Sequence, residues 1–218
     1  MSIVNSARTA KRATRPASET REHILDVAER LFYWDGIRAT GVDKIAAEAG
    51  VASTTLYRLF ASKDDLVAAY VDRYAAGYRD WIDMLTSAAG QSPRDRILAY
   101  FDALASNTGP DSFRGCPFLM ALAEFPDRTS AAHASAQAVK AWVQAKLHDL
   151  TRQLPSLTRG AADTLAERLA LIVEGLYAST AALGTDGPAS QARPLAAFLI
   201  DTAVSERRAT SAPRARKA

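Results

Sequence analysis

At 218 residues, 48% hydrophobic and 23% charged, the chain has the composition of a globular soluble protein rather than of a disordered or fibrous one. No apolar run approaches the roughly 20 residues of a membrane span, and the basic N-terminus has no apolar stretch behind it to form a secretory signal. One cysteine, Cys116, excludes an intramolecular disulfide and fits a reducing cytoplasm, the expected location.

The net charge of +3 is unevenly spread. Residues 1–63 hold ten Lys/Arg and seven Asp/Glu, residues 64–206 hold 12 and 17, and residues 207–218 hold five and none. The ends, not the middle, are placed to meet a polyanion, unless they are simply solvated. Helical periodicity dominates throughout, with no sustained alternation and no hairpin turn. The expected fold class is all-α, with about nine helices.

Residues 1–17 read as a disordered basic arm. A first helix is expected from Ser18 to about Asp35, with Ile24, Val27, Ala28 and Leu31 in its apolar stripe and Gly36 in the left-handed position after it. Thr40 with Asp43, and Ser62 with Asp65, form capping-box patterns at two further helix starts, the second opening a helix to about Leu85. Breaks follow at 90–93, 107–112, 126–130, 154–160 and 184–188. The organisation read from this is a helix-turn-helix unit over 18–62, a larger helical unit over 63–205 and a disordered basic tail over 206–218. No flexible linker separates the two units at Ser62, so they are expected to share the helix that begins there.

The residues around Gly50 carry the strongest signal. Ile45, Ala49, Val51, Leu56 and Leu59 are spaced to fill the seam between two crossing helices, Ala46 is small where the second helix passes, and Gly50 supplies a positive φ for the turn. The outward set is then Ala52, Ser53, Thr54, Thr55, Tyr57 and Arg58. Short side chains let a helix approach the major-groove floor, where hydroxyls meet phosphates or base edges and an arginine grips a guanine or a phosphate.

Thr40–Val67, "TGVDKIAAEAGVASTTLYRLFASKDDLV", resembles the signature of the TetR/AcrR family of bacterial repressors. The resemblance covers about residues 20–67. It implies a homodimer with an N-terminal domain on a double-stranded DNA operator and a helical domain for a small-molecule effector, usually releasing a repressor. By the same resemblance Thr40 and Lys63 match phosphate contacts, and Thr54, Thr55, Tyr57 and Arg58 match recognition-helix contacts. Ser53 also belongs to the expected DNA-binding set, although the family often has a cation there. The arm around Lys11, Arg12 and Arg15 is a candidate to replace that cation.

In the larger half, Leu165, Leu169, Ile172 and Leu176 form one stripe and Leu195, Phe198 and Leu199 another. The stripes alone suit the protomer's own core; with the resemblance they are expected at a dimer interface. Candidate effector-cavity residues are Tyr100, Phe113, Cys116, Phe118, Met120, Trp142 and Tyr177, a composition that favours an apolar or aromatic effector. Pro117 suits the first position of a helix, which puts Cys116 at its cap, near Arg114. Two readings of Cys116 stand: a reactive sensor thiol, or a small packed cysteine at a helix start, the plainer of the two. Glu124 is expected to be solvated or to meet a polar ligand group. No P-loop, nucleophile-elbow or zinc-protease motif is present, and the three histidines do not cluster, so no enzyme, cofactor or metal is expected. The remaining alternative is a constitutive DNA-binding repressor without a ligand.

Overall fold

The computed structural model describes residues 16–87, 90–109, 113–155 and 157–211, with side chains as far as residue 206. The expected arm around Lys11, Arg12 and Arg15 and residues 212–218 of the expected tail lie outside those residues; residues 206–211, expected to be disordered, instead continue the last helix. Among the described residues the chain forms nine α-helices and no strand. They are α1 (Ala17–Asp35), α2 (Val42–Glu48), α3 (Ser53–Leu59), α4 (Lys63–Thr86), α5 (Pro93–Ser106), α6 (Pro117–Glu124), α7 (Ala131–Thr151), α8 (Arg159–Leu183) and α9 (Ala192–Ser211). A 3-10 turn, Pro188–Gln191, precedes α9.

Local chemistry fixes most helix starts. Ser62, Ser92, Ser130 and Thr158 each accept a hydrogen bond from the backbone N–H three residues on. Ser62 and Ser92 also donate to the carboxylates of Asp65 and Asp95. Such caps stabilise a helix by about 1 kcal/mol each. The expected cap at Thr40 does not form. α2 starts after Gly41 with no side-chain cap, and the Thr40 hydroxyl instead donates to the carbonyl of Gly36 at 2.8 Å. Gly36 ends α1 at φ +95, as its position after the apolar stripe suggests.

α1 buries Ile24, Leu25, Val27, Ala28, Leu31 and Phe32, the i, i+3, i+4, i+7 face of its sequence. That face packs on α2, α3 and α4. In the body, α7 lies against α4, α6 and α8, while α9 lies between α5 and α8. One continuous apolar core runs from Ile24 in α1 to Ile200 in α9, and α4 carries it from the first group of helices into the second.

Candidate nucleic-acid interface and cavity

The turn between α2 and α3 is built as its residues require. Ile45, Ala46, Ala49 and Leu56 are buried, Val51 and Leu59 pack half-buried against them, and Gly50 holds φ +64. The underside of α3 is thus fixed to the core and its upper side is free. On that side Ala52, Thr54, Tyr57 and Arg58 are exposed, with Tyr57 at 50%, while Ser53 and Thr55 are half-buried. No large aliphatic residue lies among them. A helix so presented is polar, small-featured and held from beneath.

Three side chains of the expected DNA-binding set are already engaged. Thr40 is fully buried and its hydroxyl is spent on the carbonyls of Leu31 in α1 and of Gly36 after it, which corrects the expectation of a side-chain phosphate contact there. The Ser53 hydroxyl donates to Asp43 at 2.7 Å, tying the first turn of α3 to α2. Lys63 Nζ donates to the carbonyl of Arg38 at 3.3 Å; partial burial pulls its pKa below the usual lysine value, with the Glu124 charge opposing.

Two adjoining cavities open where α1, α4 and the segment before α6 meet. The larger, about 440 Å³, is bordered by Tyr74, Gly77, Tyr78 and Trp81 of α4, by Asn107, Thr108, Phe113, Cys116, Pro117 and Phe118, and by Tyr177 of α8. The second, about 400 Å³, lies toward α1 and is bordered by Asp26, Arg30, Tyr33 and Trp34, together with Tyr70. Glu29, Arg73, Tyr74, Asn107 and Phe113 border both. Of the candidate effector-cavity residues, Phe113, Cys116, Phe118 and Tyr177 border the larger cavity. Tyr100, Met120 and Trp142 are not on its wall. Tyr100 is buried behind it, Trp142 packs under Arg79, and the Met120 sulfur sits against Gly115.

The cavity wall carries a chain of hydroxyls. Tyr78 meets Tyr100 at 2.9 Å and Tyr177 at 3.4 Å. Burial pushes the pKa of all three well above the ordinary tyrosine value, and burial holds Tyr74 up at about 12. The hydroxyls of Tyr74, Tyr78 and Tyr177, which border the cavity, stay protonated at neutral pH and can donate to a ligand. Phe113 stacks on Tyr177 with centroids 5.6 Å apart. Cys116 caps α6 through its backbone alone, its thiol making no cap hydrogen bond. The Arg114 guanidinium donates away from it, to the Tyr33 carbonyl.

α6 joins this wall to the helix-turn-helix. At its start, Tyr33 of α1 donates to the Gly115 carbonyl and accepts from Arg114 N. At its end, the Glu124 carboxylate accepts from the backbone N–H of Ile37 at 3.1 Å and of Arg38 at 2.5 Å. Arg38 Nε returns a bond to the Glu124 carbonyl. Glu124 is neither solvated nor turned into the cavity. It occupies the α1–α2 turn, where Gly36 leaves its oxygen 3.8 Å from the place of a Cβ. A sequence separation of 86 and 87 residues hides that pairing from local pattern.

The α8 stripe also needs correction. Leu165, Leu169 and Leu176 are buried in the protomer's own core, with Ile172 half-buried against it, so the three leucines offer no free surface to a second copy. The outer face of α8 instead carries Thr164, Arg168, Leu171, Gly175, Ala178 and Ala182. On α9, Leu195 and Phe198 are exposed while Leu199 packs half-buried against the core.

A buried seam under a polar outward helix, on an all-helical body with a cavity, defines a helix-turn-helix DNA-binding protein of the bacterial regulator class. Residues 24–70 match the family profile described as bacterial regulatory proteins, tetR family. The transcriptional regulator AcrR of Shigella flexneri is 46% identical over 57 residues, 26% of each chain. The transcriptional repressor NemR of Escherichia coli is 32% identical over 83 residues, 38% of this chain and 42% of NemR. The matched part thus spans about a quarter to two fifths of these curated relatives. Solved structures match across the whole fold. SCO4454, a TetR-family transcriptional regulator of Streptomyces coelicolor, is 28% identical with a TM-score of 0.74, covering 87% of this chain and 96% of its own. The sav143 chain of Streptomyces avermitilis, assigned as a TetR transcriptional regulator, is 31% identical with a TM-score of 0.72, covering 84% and 97%. The chain belongs to the TetR family of bacterial regulatory proteins. It is of a regulator family, not an enzyme family.

Proposed function

We propose that this protein is a dimeric, cytoplasmic transcriptional repressor that leaves a palindromic double-stranded DNA operator when a small, apolar or aromatic effector binds. The observation that carries the DNA-binding part is the outward face of α3. Thr54, Thr55, Tyr57 and Arg58 stand on a helix locked from below, and Ser53 and Lys63 flank it. In this reading residues 18–62 are the DNA-binding unit and residues 63–205 the effector-binding and dimerisation unit. A dimer sets two α3 helices roughly 34–36 Å apart in successive major grooves. Affinity then falls steeply with salt, because phosphate contacts release counterions.

Effector binding is supported by the cavity of about 440 Å³, which lies within the usual range for small-molecule sites. A constitutive repressor has no need of such a space. The dimer face in this proposal is the outer stripe of α8 with Leu195 and Phe198 of α9. Gly175, Ala178 and Ala182 let a second α8 approach closely, and Leu171 and Phe198 supply apolar area. A second reading of the effector rests on Cys116, whose thiol borders the cavity: an electrophile that alkylates it acts as the signal. An unchanged response in Cys116→Ser removes that reading.

The test is selection of bound sequences from a random duplex pool, followed by a compound screen for release. The expected result is a palindromic consensus lost on exchange of Tyr57 and Arg58 for alanine. Selection of no sequence over the pool background sinks the proposal.

A further inference from the structure

The second cavity lies between α1 of the DNA-binding unit and α4, with Asn107 and Phe113 on its border. Its chemistry differs from that of its neighbour. Glu22, Asp26 and Glu29 recur at spacings of four and three, so they share one face of α1. All three reach one guanidinium of α4. Arg73 donates to Asp26 at 2.7 Å and to Glu29 at 2.6 Å, and lies 3.5 Å from Glu22. Glu22 is also met by Arg21, and Arg30 at the rim is taken by Glu48. Arg30 is thus already neutralised by Glu48, and among the described residues Asp26 and Glu29 share Arg73 as their single partner. Beside them stand the rings of Tyr33, Trp34, Tyr74 and Phe113. Ring faces and an excess carboxylate together favour a cation with an apolar body.

We propose that the cavity between α1 and α4 is a binding site for an organic cation carrying an aromatic group, whose charge competes with Arg73 for Asp26 and Glu29. The proposal goes beyond the effector reading above, which puts an apolar or aromatic effector in the neighbouring cavity, and adds a second ligand class at a second place. It also supplies a direct route to DNA. The Arg73 cluster ties α1 to α4, so a cation that takes Glu29 from Arg73 weakens a tie between the reading head and the body. No longer path through the core is needed.

The test uses three probes of one shape on the full chain: 1-naphthylmethyltrimethylammonium, 1-naphthylmethanol and 1-naphthylacetate, titrated by calorimetry. The cation is expected to bind at least about tenfold more tightly than either other probe, a difference of about 1.4 kcal/mol. Glu29→Gln is expected to weaken the cation at least about fivefold and leave the alcohol unchanged. Arg73→Met is expected to tighten the cation, since it removes the competitor. Opposite signs from two neighbouring substitutions do not arise from loss of fold, which circular dichroism checks independently. Trp34 borders this cavity alone and Trp81 the other alone, so Trp34→Ala is expected to weaken the cation and Trp81→Ala to spare it. Equal or tighter binding of the carboxylate, no effect of Glu29→Gln, or dependence on Trp81 instead of Trp34 overturns the proposal. DNA selection with ligand-free protein separates the two levels. If a palindrome is selected and the cation does not bind, only this inference falls.

Discussion

α3 and α8 present the same problem with opposite outcomes. Each is a helix with one face to the core and one face out. In α3, a seven-residue helix, Leu56 is fully buried, Leu59 packs half-buried beside it and the remaining positions are Ser, Thr, Tyr and Arg, so its sequence leaves one choice of inner face. In α8, a 25-residue helix, apolar residues occur on both sides. Its most regular leucine stripe, Leu165, Leu169 and Leu176, turns inward, and a smoother face with Leu171, Gly175 and Ala178 turns out. The largest side chains go where they are surrounded on all sides, inside the protomer. A long amphipathic pattern thus tells that a helix packs, not against which copy of the chain.

The comparison is most easily broken at Leu169. Leu169→Ala is expected to cost about 2–5 kcal/mol of protomer stability, because the side chain is fully buried. In thermal unfolding that is roughly 2–4 °C of Tm per kcal/mol for a chain of this size. A loss of dimer without a loss of stability would place Leu169 at the interface after all. On the α3 side, Arg58→Ala is expected to cost about 1–3 kcal/mol of operator affinity and to relax preference at one base pair. Tyr57→Ala weakens all sequences alike, and both are read by titration of selected and random duplexes. Phe198, 64% exposed, sharpens the α8 side. Phe198→Asp is expected to raise the dimer dissociation constant at least about tenfold in sedimentation, about 1.4 kcal/mol, with the protomer still helical. A smaller effect is expected at the α3–α4 corner, where Ser62→Ala removes a cap worth about 1 kcal/mol by urea unfolding.

The last prediction has no effect at neutral pH. Burial raises the pKa of Tyr70, Tyr74, Tyr78, Tyr100 and Tyr177 in the folded state above the unfolded value near 10. The folded chain therefore holds these protons more tightly than the unfolded chain. Their contribution is complete below pH 10 and is lost as pH rises toward 12 and beyond. Alkaline unfolding followed by circular dichroism should begin above pH 10 and become less steep in Tyr74→Phe.

Much of the fold was legible in the chain. The α1 stripe, the Gly50 turn, the cap at Ser62 and the start of α6 at Pro117 are local, each settled by residues within about one helical turn of one another. The cavity was legible only in part. Phe113, Cys116, Phe118 and Tyr177 were readable as an aromatic and sulfur cluster, but Glu29, Arg73 and Asn107 gave no signal, being ordinary surface types. Thr40 was misread because a threonine before a helix can cap forward or bond backward. Only the packing of α1 beneath it decides, since full burial forces its hydroxyl onto the nearest free carbonyls.

By itself the sequence determined the helical class, the breaks between helices and the helix whose outer face is free to read DNA. Those follow from periodicity, turn residues and caps, which act over a few residues. Only the tertiary structure decided which leucines of α8 point inward, that Glu124 closes on the turn after α1, and that three carboxylates of α1 share Arg73. Each of these depends on groups tens of residues apart brought within hydrogen-bond or contact range. There the winner is set by burial and by the need to pair every buried polar group, not by neighbours along the chain.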